Sequence, residues 1–126
     1  MILLLLNNDC VRDILSEVAK QPMNEFINDM PERLSHKYKS DDVNYALSIL
    51  NEENCIHCDA YYGNDQLIMY SVGTMTKKGL DLYSKIQSDT VWNKVKAKIK
   101  LLGGSVSINL LSSIATNVVT SLSSSH

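Results

Sequence analysis

A single β-hairpin within an otherwise helical pattern is the feature that most constrains the fold of this chain. Residues 55–62 and 66–72 read as two strands, and Gly63, Asn64 and Asp65 between them have the composition of a tight turn. Apolar residues at helical spacing occur both before and after this pair of strands. The chain is therefore expected to be α+β and mainly helical, with one small sheet.

Three helices are predicted before the hairpin. Asp9 can cap the first one, because apolar residues recur at helical spacing directly after it. Pro31 suits the first position of a short second helix that runs to about residue 38. Ser40 can cap the third helix, and Asn54 follows it at a position where a left-handed residue ends a helix.

Three further helices are predicted after the hairpin. Thr76 can cap the fourth helix, in which Leu80 is one of the apolar positions and Gly79 indicates close packing against a neighbour. Residues 89–102 contain alternating lysines, which is typical of a strand, but their apolar residues follow helical spacing and favour a fifth helix. Residues 105–122 are predicted to form the sixth helix.

The order of these elements indicates a winged helix-turn-helix fold. In that fold three helices precede a hairpin and a further helix, the third helix is the recognition helix, and the hairpin is the wing. Residues 1–87 are expected to form this winged-helix domain. Residues 88–126 are expected to form a C-terminal helical extension, a helical hairpin that can serve oligomerisation.

Four stretches of the sequence carry a resemblance to a known family. They are DCVRDIL (residues 9–15), SDDVNYALSILNEENCI (40–56), TKKGLDLYSKI (76–86) and SDTVWNKVK (88–96). Together they resemble a small family of uncharacterised bacterial and phage proteins, catalogued as a domain of unknown function. The resemblance is most specific in the first and last stretches, and it implies a winged-helix body followed by a helical tail. The chain departs from the family pattern at Lys78 and Leu80, where Glu and His are expected.

The third helix and its surroundings contain candidate DNA contacts. Asparagine can pair with adenine, serine with either base type, and lysines can contact phosphates. The candidate nucleic-acid contacts are Lys37, Lys39, Asn44, Tyr45, Ser48, Asn51, Asn64, Lys77 and Lys78. The same region also contains four acids that oppose phosphate binding, Asp41, Asp42, Glu52 and Glu53. The sequence therefore predicts a non-enzymatic regulator-type module that binds double-stranded DNA. The alternative is an interaction or oligomerisation module that does not bind DNA and has an unidentified protein as its partner.

The last predicted helix has an apolar seam that must be covered. Its residues recur at spacings of three and four, as in a coiled coil. They are Ile108, Leu111, Ala115, Val118 and Leu122. The seam can pack on its own domain or on a second copy, and the sequence leads us to predict a homodimer through this helix.

The remaining features predict a cytoplasmic protein without catalytic or metal-binding residues and without a cofactor. The first six residues are too few for a signal peptide or a membrane span, and read as a terminal strand or helical turn. Cys10, Cys55 and Cys58 form no disulfide framework, and a zinc site would require a second Cys pair. The charge is divided: residues 1–60 carry five basic and eleven acidic residues, whereas residues 61–126 carry seven and three.

Overall fold

The computed structural model describes residues 5–22, 24–64 and 66–124, so predictions for residues 1–4, Asp65, Ser125 and His126 lie outside the described residues. Within these residues, six helices and a two-stranded antiparallel sheet confirm a mainly helical α+β architecture. The elements are α1 Asn8–Lys20, α2 Met30–Arg33, α3 Ser40–Glu52, β1 Ile56–Gly63, β2 Gln66–Met75, α4 Lys77–Ile86, α5 Asp89–Leu101 and α6 Ile108–Ser124. None of the helices in these described ranges is long and apolar enough to cross a bilayer.

The first helices begin and end differently from the prediction. The Asn7 side chain, rather than that of Asp9, caps α1 by accepting a hydrogen bond from the Cys10 N–H at 3.1 Å. Asp9 lies in the first turn, where its charge is stabilised by the helix dipole. The second helix is shorter than expected because it ends at Arg33, and the residues up to 37 form turns.

The hairpin lies where the sequence predicts it. Ile56 pairs with Met75 at the open end of the hairpin, and Gly63 pairs with Gln66 at the turn. Asn64 adopts a positive φ of 52°, which this turn requires and which asparagine tolerates. A short bridge extends the sheet, because Ile27 and Val72 exchange both backbone hydrogen bonds at 2.8 and 2.9 Å.

The start of α4 is hydrogen-bonded to, and closely packed against, the residues that follow α3. Thr76 caps α4 as predicted by accepting from the Gly79 N–H at 3.1 Å, and its hydroxyl donates to the Asn54 carbonyl at 2.5 Å. A Cβ atom at Gly79 would lie 1.9 Å from the Cys55 carbonyl oxygen, so only glycine fits. Leu80 was expected in the core but is 56% exposed, because Gly79, Leu82 and Ile86 form the inward face instead.

One hydrophobic core spans the predicted domain boundary between residues 87 and 88. Trp92, Val95 and Ile99 of α5 are buried in the same cluster as the apolar side chains of α1 and α3. The carboxamide of Asn8, itself only 6% exposed, donates to the Val106 carbonyl and accepts from its N–H, both at 3.0 Å. The two predicted segments are therefore joined into a single packed body.

The apolar seam of α6 is largely covered by the chain itself. Ile108, Leu111, Ala115 and Val118 are at most 3% exposed, and α6 packs on α4 and α5. Leu122, near the end of the helix, is 37% exposed. Of the two alternatives for this seam, packing on its own domain accounts for the first four residues, so a second copy cannot use them without displacing α6.

Candidate binding surface

The outward side of α3 carries one row of polar and acidic side chains. Asp41, Tyr45, Ser48 and Glu52 are spaced by four, three and four residues, so they lie on one face of the helix. Asp41 and Glu52 are exposed, whereas Tyr45 and Ser48 are half-buried. We call these four residues the α3 stripe. The opposite face anchors the helix through the buried residues Val43, Ala46, Leu47 and Leu50.

The two asparagines predicted to read bases lie beside this stripe. Asn44 and Asn51 are separated by two helical turns and therefore share one edge of α3. Both side chains are half-buried. Asn44 also lines a small cavity of about 160 Å³ together with Met30 and Tyr70. Its side chain is therefore only partly available to an external ligand.

Two of the predicted lysine contacts are paired with carboxylates. The Lys37 Nζ atom lies 3.2 Å from Asp13, and the Lys78 Nζ atom lies 3.4 Å from Glu53. Such exposed pairs contribute less than about 1 kcal/mol to stability. They nevertheless place a carboxylate beside each cation, which weakens the attraction of that cation for phosphate.

The other predicted cations lie at opposite ends of α3. Lys39 is the residue before the helix, and Lys77 begins α4 beside the end of α3. The 13 residues of α3 separate them by about 20 Å. Both are exposed and form no ion pair within residues 5–22, 24–64 and 66–124. Asn64 is exposed at the hairpin turn.

A charged cluster that sequence reasoning missed joins α1 to the start of α5. The Arg12 guanidinium donates to the carbonyl oxygens of Ile86 and Gln87 at 2.8 and 2.7 Å, and to the Asp89 carboxylate at 2.9 Å. It also lies 5.4 Å from the centre of the Trp92 ring, within the range of a cation–π contact. Arg12 therefore fixes the entry of the chain into α5.

The same cluster lines an open cleft of about 600 Å³. Asp9 accepts from the Trp92 indole N–H at 3.0 Å and pairs with Lys96 at 3.3 Å. Asp13 accepts from the Tyr38 hydroxyl at 2.7 Å, and burial, followed by this hydrogen bond, raises the pKa of Tyr38. Because these groups already bond to one another, they mainly hold α1, α5 and the residues before α3 together.

The cysteines are held as protonated thiols. Burial raises the pKa of Cys10 from 9.0 to about 12 and that of Cys58 from 9.0 to about 11, and it also raises the pKa of Cys55. Cys10 and Cys55 are buried, and Cys58 is half-buried. Among the residues that the structure describes, no three His, Cys, Asp or Glu side chains are grouped so as to hold a metal ion.

Comparison with known proteins identifies the family. A family described as "Hypothetical protein (DUF2513)" matches residues 5–105, which is most of the chain. The chain belongs to the DUF2513 family. An "Uncharacterized protein" of Haemophilus influenzae is similar to this DUF2513 chain, with 25% identity over 85 residues that cover 68% of the chain and 71% of that relative. No solved structure matches the chain.

The DUF2513 match confirms the resemblance to an uncharacterised family and includes both of its most specific stretches. The structure brings these two stretches into contact, because Asp9 and Arg12 of the first one bond Trp92 and Asp89 of the second. The match also runs across residues 87 and 88. This agrees with the single core described above.

Proposed function

We propose that this DUF2513 chain is a non-enzymatic winged-helix protein that binds a protein partner through the α3 stripe. The order of three helices, a hairpin and a further helix supports the winged-helix assignment. The bridge between Ile27 and Val72 supports it as well, since it adds a third strand segment to the sheet that would form the wing.

The observation that carries the proposal is the negative charge of α3. The helix and its C-cap residue carry four carboxylates and no basic side chain, while two of the nearby lysines already pair with carboxylates. Because affinity for DNA depends largely on neutralising phosphates, this face opposes a duplex. The four carboxylates belong to Asp41, Asp42, Glu52 and Glu53.

The same charge favours a partner with a basic surface. Asp41 and Glu52 stand at the two ends of the α3 stripe, about 16 Å apart along the helix axis. The half-buried Tyr45 and Ser48 lie between them. An aromatic side chain flanked by charges is typical of a protein interface, in which charge directs the encounter and the aromatic ring provides contact area.

DNA binding is the second candidate function, and one observation favours it. Lys39, Lys77 and Asn64 are exposed near α3 and at the hairpin turn, where a winged helix contacts a duplex. Two lysines that form no ion pair in the described part of the chain can contact two phosphates. Only a weak, strongly salt-dependent interaction is expected from so few contacts.

A salt titration of binding to random-sequence duplex DNA distinguishes the two functions. Fluorescence anisotropy of the wild-type protein and of a Lys39→Ala, Lys77→Ala variant is measured at rising salt. We expect no binding tighter than about 10⁻⁴ M for either protein, the weak end of non-specific DNA affinity. Micromolar binding that falls steeply with salt, with a slope reduced by about 2 in the variant, would overturn the protein-partner proposal.

A further inference from the structure

The exposed edge of α5 carries lysines that form no ion pair with another described residue of the chain. Lys94, Lys98 and Leu101 are spaced by four and three residues and form one row along the helix, which we call the α5 stripe. Leu101 is 86% exposed, and both lysines are exposed. Neither lysine forms an ion pair within the residues that the structure describes.

The α5 stripe borders a shallow groove between α5 and α6. Lys94 and Lys98 line this groove, which has a volume of about 300 Å³, together with Ala97 and Val118. The buried seam of α6 lies beneath it, so the groove keeps a fixed shape without a second copy. A large apolar side chain, two cations and a groove together form a surface suited to an acidic partner that offers an aromatic or apolar group.

The α3 stripe carries the charge opposite to that of the α5 stripe. It presents exposed Asp41 and Glu52 with Tyr45 between them, and neither carboxylate forms an ion pair among the described residues. Both stripes run along helices of 13 residues each, Ser40–Glu52 and Asp89–Leu101. Laid antiparallel, they match at a spacing of seven residues, so that Lys94 faces Glu52 while Leu101 lies against Tyr45.

We infer that the α5 stripe of one copy of this chain docks on the α3 stripe of a second copy. The opposite charges of the two stripes support this partner, because Lys94 and Lys98 are exposed cations and Asp41 and Glu52 are exposed carboxylates. The inference rests on the proposed function, since it uses α3 as a protein-binding surface. It replaces the predicted dimer through the α6 seam with a contact made by exposed residues.

The interaction is tested by sedimentation of the full chain over a hundredfold range of concentration. We expect reversible self-association at about 0.05 M salt that is lost at about 1 M, where the Debye length is about 3 Å. A Lys94→Glu, Lys98→Glu variant should weaken association by at least about tenfold, because the new carboxylates repel Glu52 and the rest of the acidic α3 stripe. An Asp41→Lys, Glu52→Lys variant should do the same.

Mixing the two charge-reversed variants provides the decisive control. Each variant alone should associate at least about tenfold more weakly than the wild type, and their equimolar mixture should associate as the wild type does, because opposite charges face each other again. Lys20→Glu, on an exposed side chain at the end of α1, should leave association unchanged. A wild-type protein that stays monomeric at low salt, or a mixture that does not associate, would overturn the inference.

Two further outcomes separate this inference from the proposed function. Duplex DNA binding that is lost in the Lys94→Glu, Lys98→Glu variant would assign the α5 stripe to nucleic acid and overturn the inference, while α3 could still bind a protein. DNA binding that depends on Lys39 and Lys77 would instead overturn the proposed function. Far-UV circular dichroism and melting temperature of each variant verify that the exposed substitutions leave the fold intact.

Discussion

Replacing Gly79 with alanine tests how closely α4 approaches the end of α3. Within an exposed helix this change stabilises by about 1 kcal/mol. Here the new Cβ would lie 1.9 Å from the Cys55 carbonyl oxygen and 2.9 Å from its carbonyl carbon, so α4 must move away by more than 1 Å. Overpacking of this kind costs about 1–3 kcal/mol. The shift also strains the hydrogen bonds from Thr76 to Asn54 and Cys55, worth about 1 kcal/mol each.

The expected net loss for Gly79→Ala is therefore about 2–4 kcal/mol in the free energy of unfolding. Urea unfolding followed by far-UV circular dichroism measures it directly. Gly104→Ala is the matched control, because a Cβ there meets nothing within 4 Å and only the positive φ of 93° is strained. That control should cost about 1–2 kcal/mol. If Gly79→Ala were as stable as wild type, or lost less stability than the control, the steric reasoning would be refuted.

Three further predictions concern buried or half-buried groups. Asn8→Ala should lower the free energy of unfolding, measured by urea unfolding, by about 2–4 kcal/mol, because it leaves the Val106 N–H and carbonyl buried without partners. Asn7→Ala is the control and should lose only the α1 cap, about 1 kcal/mol. Equal losses in the two variants would contradict this reasoning. In a thiol titration of the native protein at pH 8, Cys10 should stay unmodified and Cys58 should react slowly, whereas all thiols should react in urea. Fast modification of Cys10 in the native protein would argue against its burial. Burial raises the pKa of Cys10 from 9.0 to about 12, so the contribution of the buried, protonated thiol to the free energy of unfolding is complete below pH 9 and is lost between about pH 9 and 12. Unfolding curves of the wild type and of Cys10→Ala at rising pH measure this loss.

The sequence predicts the elements of this fold better than their contacts. Helical spacing places α5 correctly in spite of its alternating lysines. Local patterns also find Thr76 as a cap and the tight fit at Gly79. They fail at Leu80, because an apolar residue at the edge of a helix can face solvent as easily as the core.

Contacts between distant residues could not be predicted from local patterns. Arg12 and Asp89 are 77 residues apart, so no local periodicity connects them. The apolar seam of α6 shows that something must cover Leu111 and Val118, but its spacing is the same for a neighbouring helix and for a second chain. For the α3 face, the acids and lysines are visible in the sequence, whereas the pairing of Lys37 with Asp13 requires the fold.

The bond between Asn8 and Val106 has a consequence for synthesis on the ribosome. The two residues are 98 positions apart, so translation at about 5–20 residues per second takes about 5–20 s to supply the partner of Asn8. Throughout that time the carboxamide of Asn8 lacks its native partner and must bond to water instead. The start of α1 is therefore completed only after residue 106 has been made, although α3, β2 and α4, against which the helix packs, are synthesised earlier.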